Sequence, residues 1–112
     1  MNRPTRFYSN KQEKAVAKAV GGKKVANSGA TTFNKGDVVD EHWLFECKTK
    51  EKENKSFAIK KDWIIKNNEE RFSMGKDYCA LVIDFGDGEN FFVLDEKTFL
   101  KMKEVFENEI DN

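Results

Sequence analysis

Apolar side chains stand at consecutive positions in two short segments, residues 43–49 (Trp-Leu-Phe-Glu-Cys-Lys-Thr) and residues 78–85 (Tyr-Cys-Ala-Leu-Val-Ile-Asp-Phe). Neighbouring residues of a strand point to opposite faces of its sheet. Segments that are apolar on both faces therefore belong in the middle of a sheet with helices on each side, which makes the chain α/β. With 112 residues there is room for one such domain and not two. Ten Phe and two Trp supply the bulk for a packed core.

The remaining elements follow from local signals. Ser9 with Gln12 three positions on forms a capping box, predicting a helix over 10–20 that stops at Gly21-Gly22. Residues 27–36 are rich in Ser, Gly, Thr and Asn and read as a loop. Val38-Val39 and 43–49 read as strands around a turn at Glu41-His42. The charged stretch 50–55 is a second turn, and 56–59 a short third strand. A helix is expected over 61–73, with Gly75 as its stop signal. The strand at 78–85 turns at Gly86-Asp87-Gly88 into another at 91–94. A last helix over 96–108 carries Phe99, Met102, Val105 or Phe106, and Ile110 at helical spacing, and Phe106 and Ile110 are candidates for an interface. The order is α-β-β-β-α-β-β-α, a mixed five-stranded sheet flanked by helices. Residues 1–9 are expected to form a basic mobile arm ahead of one domain over 10–112.

Net charge is zero, but its distribution is polar. Residues 1–36 hold eight Lys or Arg against the single acid Glu13, a net +7, and the rest holds twelve against nineteen, a net −7. A basic end suits an anionic partner, and a solvated basic tail has the same composition. No apolar run approaches the roughly 20 residues of a membrane span. Residues 1–9 lack the apolar stretch of a secretory leader, so the cytoplasm is the expected location. Cys47 and Cys79 belong to no CxxC or Cys/His cluster and read as reduced, buried thiols; His42, the one histidine, reads as an exposed turn residue.

The turn at Glu41-His42 fixes a register. Val39 falls opposite Leu44, Val38 opposite Phe45, and Asp37 opposite Glu46. Opposed residues share a face, with Cβ atoms about 4.5–5.5 Å apart. Lys48 projects from that same face two residues along. Two carboxylates this close repel each other, and burial opposes their ionisation. A divalent cation resolves the conflict, and magnesium, which prefers oxygen ligands, suits such a pair. Lys48 would then orient or deprotonate an attacking water. Glu13 lies on the helical face of Val16, Ala17 and Val20, where a carboxylate needs a partner: a metal, directly or through a water, or a lysine at the rim of the core.

Three segments, Asn27-Ser28-Gly29-Ala30, Lys35-Gly36-Asp37-Val38 and Phe45-Glu46-Cys47-Lys48-Thr49, resemble Holliday junction resolvases of the archaeal and phage type, within the PD-(D/E)xK nuclease superfamily. The run from Ser56 to Trp63 is similar to that family's entry into its second helix. Gly75-Lys76 followed by Ala80-Leu81-Val82-Ile83 is similar to its approach to the next strand. The likeness covers roughly residues 13–99. It departs at Gly36, where the superfamily pattern has proline. The resemblance implies a restriction-endonuclease-like core, a Mg²⁺-dependent endonuclease (Mn²⁺ as the alternative), and branched DNA, above all a four-way junction, as substrate. Asp37, Glu46 and the backbone carbonyl of Cys47 would be metal ligands, Glu13 the acid of the first helix, and Lys48 the catalytic lysine. Ser28 would lie near the scissile phosphate; a turn-forming serine has the same look. Lys60 would match a polar position at the start of the second helix or be a surface lysine. The resemblance also implies a homodimer, with Arg3, Arg6, Lys11, Lys14 and Lys18 as candidate phosphate contacts. Three other readings remain open at the level of sequence: an endonuclease acting on other DNA structures such as flaps, nicks or a specific duplex site, a non-catalytic DNA-binding or protein-interaction module on a nuclease-like fold, and an acidic regulatory protein with a mobile basic tail.

Overall fold

The computed structural model describes residues 5–25 and 37–111, with the side chains from Phe7 onward. Arg3, Ser28, the side chain of Arg6 and the expected loop at 27–36 lie outside the described residues. The elements in chain order are α1 (Thr5–Val20), β1 (Lys23–Lys24), β2 (Asp37–Val39), β3 (Trp43–Thr49), α2 (Lys61–Ser73), β4 (Tyr78–Asp84), β5 (Asn90–Val93) and α3 (Glu96–Asp111).

The two strands that are apolar on both faces sit side by side at the centre. β3 and β4 pair in parallel from Trp43↔Tyr78 to Thr49↔Asp84. A parallel pair needs a crossover, and α2 provides it. β2 and then β1 extend the sheet antiparallel on one side, and β5 closes the other, giving the order β1-β2-β3-β4-β5. This is an open, mixed five-stranded sheet.

Strand alternation divides the sheet into two faces. On one, Val38, Phe45, Ala80 and Val82 meet Val16 of α1, with Ala17, Val20, Trp43, Cys47 and Leu94 packed around them. Alternation puts Leu44, Glu46, Lys48, Leu81, Ile83, Asp37 and Val39 on the other, beneath α2. Leu44 is fully buried there. Leu44→Ala is expected to cost about 2–5 kcal/mol, read from the urea midpoint at unchanged slope.

Several boundaries depart from the sequence reading. The helix expected to start at Asn10 starts at Thr5, and Ser9 lies inside it. Nothing from Thr5 to Ser9 breaks a helix, so the first turns add on before the supposed cap, and the expected arm is helical over residues 5–9. The third strand expected at 56–59 is absent, and the fifth strand is β1 instead. Both edges of β3 are already taken by β2 and β4, leaving no edge of it for 56–59 to join. The Ser56 N–H turns back to Asn54 Oδ1 (3.2 Å), and the Phe57 ring meets those of Trp63 and Phe85 edge-on. β4 stops one residue early, β5 is Asn90–Val93 rather than 91–94, and α3 continues to Asp111.

α3 has no buried residue, and no other element packs extensively against it. Among the described residues, no helix is long and apolar enough to cross a membrane.

Candidate metal centre

The β2–β3 turn is fixed from both sides. Asp40 Oδ1 accepts the N–H groups of His42 (2.9 Å) and Trp43 (2.7 Å). The His42 carbonyl accepts from the N–H groups of Asp77 and Tyr78, and Lys76 Nζ donates to the Asp40 carbonyl (2.8 Å). The hairpin is thereby tied to the start of β4. Its register is the expected one, Asp37↔Glu46, Val38↔Phe45 and Val39↔Leu44. His42 is exposed in the turn, as read.

On the α2 face of the sheet this register sets Asp37 beside Glu46, both buried, with Lys48 one pleat further on. α2 then contributes residues at its own period. Trp63, Asn67 and Glu70 lie on one side of it, spaced four and three apart. Trp63 meets Lys48, whose Nζ is 4.6 Å from the indole centroid, a cation–π contact. Glu70 completes a group of three: carboxylate oxygens of Asp37, Glu46 and Glu70 all lie within 4.8 Å of one another. Asn67 is buried beside them in sequence, and its Oδ1 has no hydrogen-bond partner among the described residues.

Electrostatics mark Asp37 as the strained member. It is 1% exposed, and no N–H donor of the described residues reaches either of its oxygens. Its pKa is pushed from 3.8 up to about 8, first by burial, then by the charges of Glu70 and Glu46 and a hydrogen bond shared with Glu70, against the pull of Lys48. Glu70 is raised as well, by burial and by Glu46. Without a cation the group holds a proton between Asp37 and Glu70. The same oxygens are placed so that a cation, if bound, would find them as ligands. Three carboxylates converging at the foot of α2 form a hard, anionic donor set of the kind Mg²⁺ takes.

Of the acids singled out from sequence, Asp37 and Glu46 come together, with Lys48 on the same face. Glu13 does not join the three-carboxylate group. It is buried in α1, against the opposite face, with Oε1 3.8 Å from Lys24 Nζ. Glu70 was missed. Its signal was the series Trp63, Asn67, Glu70: a crossover helix with polar residues on the side that covers a sheet has something polar beneath it. Gln12 was read as part of a helix cap. Its Nε2 instead donates to the carbonyls of Lys48 (3.0 Å) and Val82 (3.1 Å) and to Asn90 Oδ1 (3.2 Å), tying α1 to both central strands behind the centre. Cys47 stands between Glu46 and Lys48 with its side chain on the α1 face. Burial holds its thiol well above the ordinary range, and Cys79 is also raised by burial, which disfavours both thiolates. Both are free thiols, and both are partly buried rather than fully buried as expected.

Lys11, Lys14 and Lys18 are exposed on α1. Nearer the centre, Lys60 Nζ lies 5.8 Å from the Trp63 ring that Lys48 also faces, and Lys50 Nζ lies 5.2 Å from Phe57. A Glu70→Gln variant is expected to bind Mg²⁺ about ten- to hundredfold more weakly than wild type, measured by isothermal titration calorimetry. Searches of family models, curated proteins and solved structures gave no match to this chain.

Proposed function

We propose that this chain is a metal-dependent DNA endonuclease with a restriction-endonuclease-like core, acting on branched DNA in the manner of a Holliday junction resolvase. The observation that carries the reading is the meeting of Asp37, Glu46 and Glu70 within 4.8 Å on the face from which Lys48 projects. The resemblance of the segments around Asp37 and Glu46-Cys47-Lys48 to the resolvases supplies the substrate class. The cofactor is Mg²⁺ or Mn²⁺.

Asp37, Glu46 and Glu70 would hold the ion, which would take the place of the proton that Asp37 and Glu70 share without it. A bound ion supplies Lewis-acid polarisation of a phosphodiester and a water of lowered pKa. Lys48 offers N–H donors on the same face, able to orient the attacking water or hold a phosphate oxygen. Trp63 limits where that ammonium can go. Gln12 holds the backbone carbonyl of Lys48 from behind, so the lysine rests on a strand fixed on both faces. Lys50 and Lys60, each over an aromatic ring, add positive charge and π-surface beside the centre, the pairing that suits nucleic-acid backbone and bases.

The test is cleavage of a labelled four-way junction beside linear duplex, with and without Mg²⁺, for wild type and Glu46→Gln. Junction-selective, metal-dependent cutting lost in the variant supports the reading. Equal cutting of both substrates keeps the nuclease and removes the junction. Binding without cutting under either metal removes the catalytic reading altogether.

A further inference from the structure

Asn67 is the one buried residue of α2 (2% exposed), and its Oδ1 accepts no hydrogen bond from any described residue. A buried acceptor left without a donor costs about 1–3 kcal/mol, and an apolar side chain of the same shape avoids that cost. An oxygen kept in such a place calls for a partner outside the chain. Its position follows from its neighbours on the helix. Trp63 stands over Lys48, and Glu70 reaches Asp37 and Glu46. Asn67 lies between them on the same side of α2, about 6 Å along the axis from Trp63 and about 4.5 Å from Glu70. Beneath, Glu46 and Lys48 share one face of β3 about 7 Å apart. The Asn67 amide is therefore carried over the stretch between the carboxylates and the lysine. The Lys48 ammonium faces the Trp63 ring and gives that amide no hydrogen bond.

We infer, resting on the reading of Asp37, Glu46 and Glu70 as a metal centre, that Asn67 Oδ1 is a fourth oxygen ligand of the same divalent cation and the one neutral member of the set. Amide carbonyls suit hard cations as carboxylates do. Three carboxylates already exceed the charge of a divalent ion, and a fourth would add to their mutual repulsion. A neutral oxygen adds a donor without that repulsion. Octahedral Mg²⁺ keeps two positions beyond these four, room for a water and a phosphate oxygen. The helix that completes the centre is then α2, with Asn67 and Glu70, and not α1, whose Glu13 lies against the opposite face of the sheet beside Lys24.

Calorimetric titration of the full chain with Mg²⁺ at pH 8, beside urea midpoints in EDTA, tests it. Asn67→Leu keeps the shape and removes the oxygen. It is expected to bind Mg²⁺ about tenfold more weakly than wild type, or worse, while its midpoint in EDTA is equal or higher. Asn67→Asp keeps an oxygen and adds a charge. It is expected to bind Mg²⁺ at least as tightly as wild type and to unfold at lower urea in EDTA. An amide that serves packing alone would show the opposite in Asn67→Leu, a lower midpoint with unchanged affinity. Unchanged affinity in Asn67→Leu while Glu46→Gln binds weakly overturns the fourth ligand and leaves the metal centre standing. Binding by Asn67→Asp as weak as that of Asn67→Leu overturns it too. Wild type with no measurable affinity for Mg²⁺ or Mn²⁺ overturns the ligand and the centre together. None of these measurements involves cutting, so a chain that binds the ion and cleaves no DNA fails the nuclease reading alone.

Discussion

Glu46→Gln is expected to lower Mg²⁺-dependent cutting of a four-way junction by roughly a thousandfold while leaving the fold intact. The side chain is buried (2% exposed) and its replacement has the same shape, so the sheet has no reason to move. What changes is the donor set. One of three carboxylates becomes a neutral amide, and the anionic pocket facing Lys48 loses a charge where the cation would sit. Single-turnover cleavage rates and urea midpoints, taken on the same preparations, separate the two effects. A variant that still cuts within tenfold of wild type would place hydrolysis elsewhere in the molecule.

Asp37→Asn is expected to raise the stability of the metal-free protein even as it abolishes cutting. The Asp37 pKa rises from 3.8 to about 8 on folding. An acid so raised adds its stability in full below the unfolded pKa and loses it as pH climbs through the folded one. In EDTA the wild type should therefore weaken steadily between about pH 4 and pH 8, with Glu70 displaced in the same direction. Asn at this position removes the Asp37 contribution to that slope. At pH 8 the variant should exceed metal-free wild type by about 1–3 kcal/mol, the scale of relieving one poorly solvated charge. Mg²⁺ should close the gap from the other side, since an ion at a hundred times its Kd adds about 2.7 kcal/mol to a protein that binds it only when folded. Urea midpoints at pH 5, 7 and 9, with EDTA and with Mg²⁺, give the comparison. A flat wild-type profile in EDTA would mean that Asp37 is not the strained group described above.

The hairpin was legible because it is local. A tight turn and an apolar pattern leave one register for Asp37 and Glu46, and Lys48 follows from the alternation of a strand. The limits of α2 were legible too, from a glycine stop and a helical run. Glu70 was not, because its place depends on how far the crossover helix travels over the sheet before it crosses the hairpin. Glu13 shows the opposite difficulty. A wheel puts it on the inward face of its helix, as the structure does, but cannot say which face of the sheet that helix covers. The strand expected at 56–59 had composition in its favour; pairing is decided by which edges remain open, and β3 had none. Gln12 was legible as a polar residue near a helix start and illegible as a ligand of two strands, since its acceptors come from residues far along the chain.

The crossover also sets an order of events as the chain folds. Asp37 and Glu46 can face each other as soon as their hairpin closes, a contact between near neighbours that forms early. Glu70 arrives only when α2 has swung over the sheet and β4 has slid in beside β3, a non-local pairing that is slow by comparison. The third carboxylate is thus withheld from any chain whose central strands are not yet married. A nascent or damaged copy would offer a cation two oxygen donors and little grip. If the centre cuts nucleic acid, half-made molecules are harmless by construction, because the helix that completes the sheet is also the one that arms it.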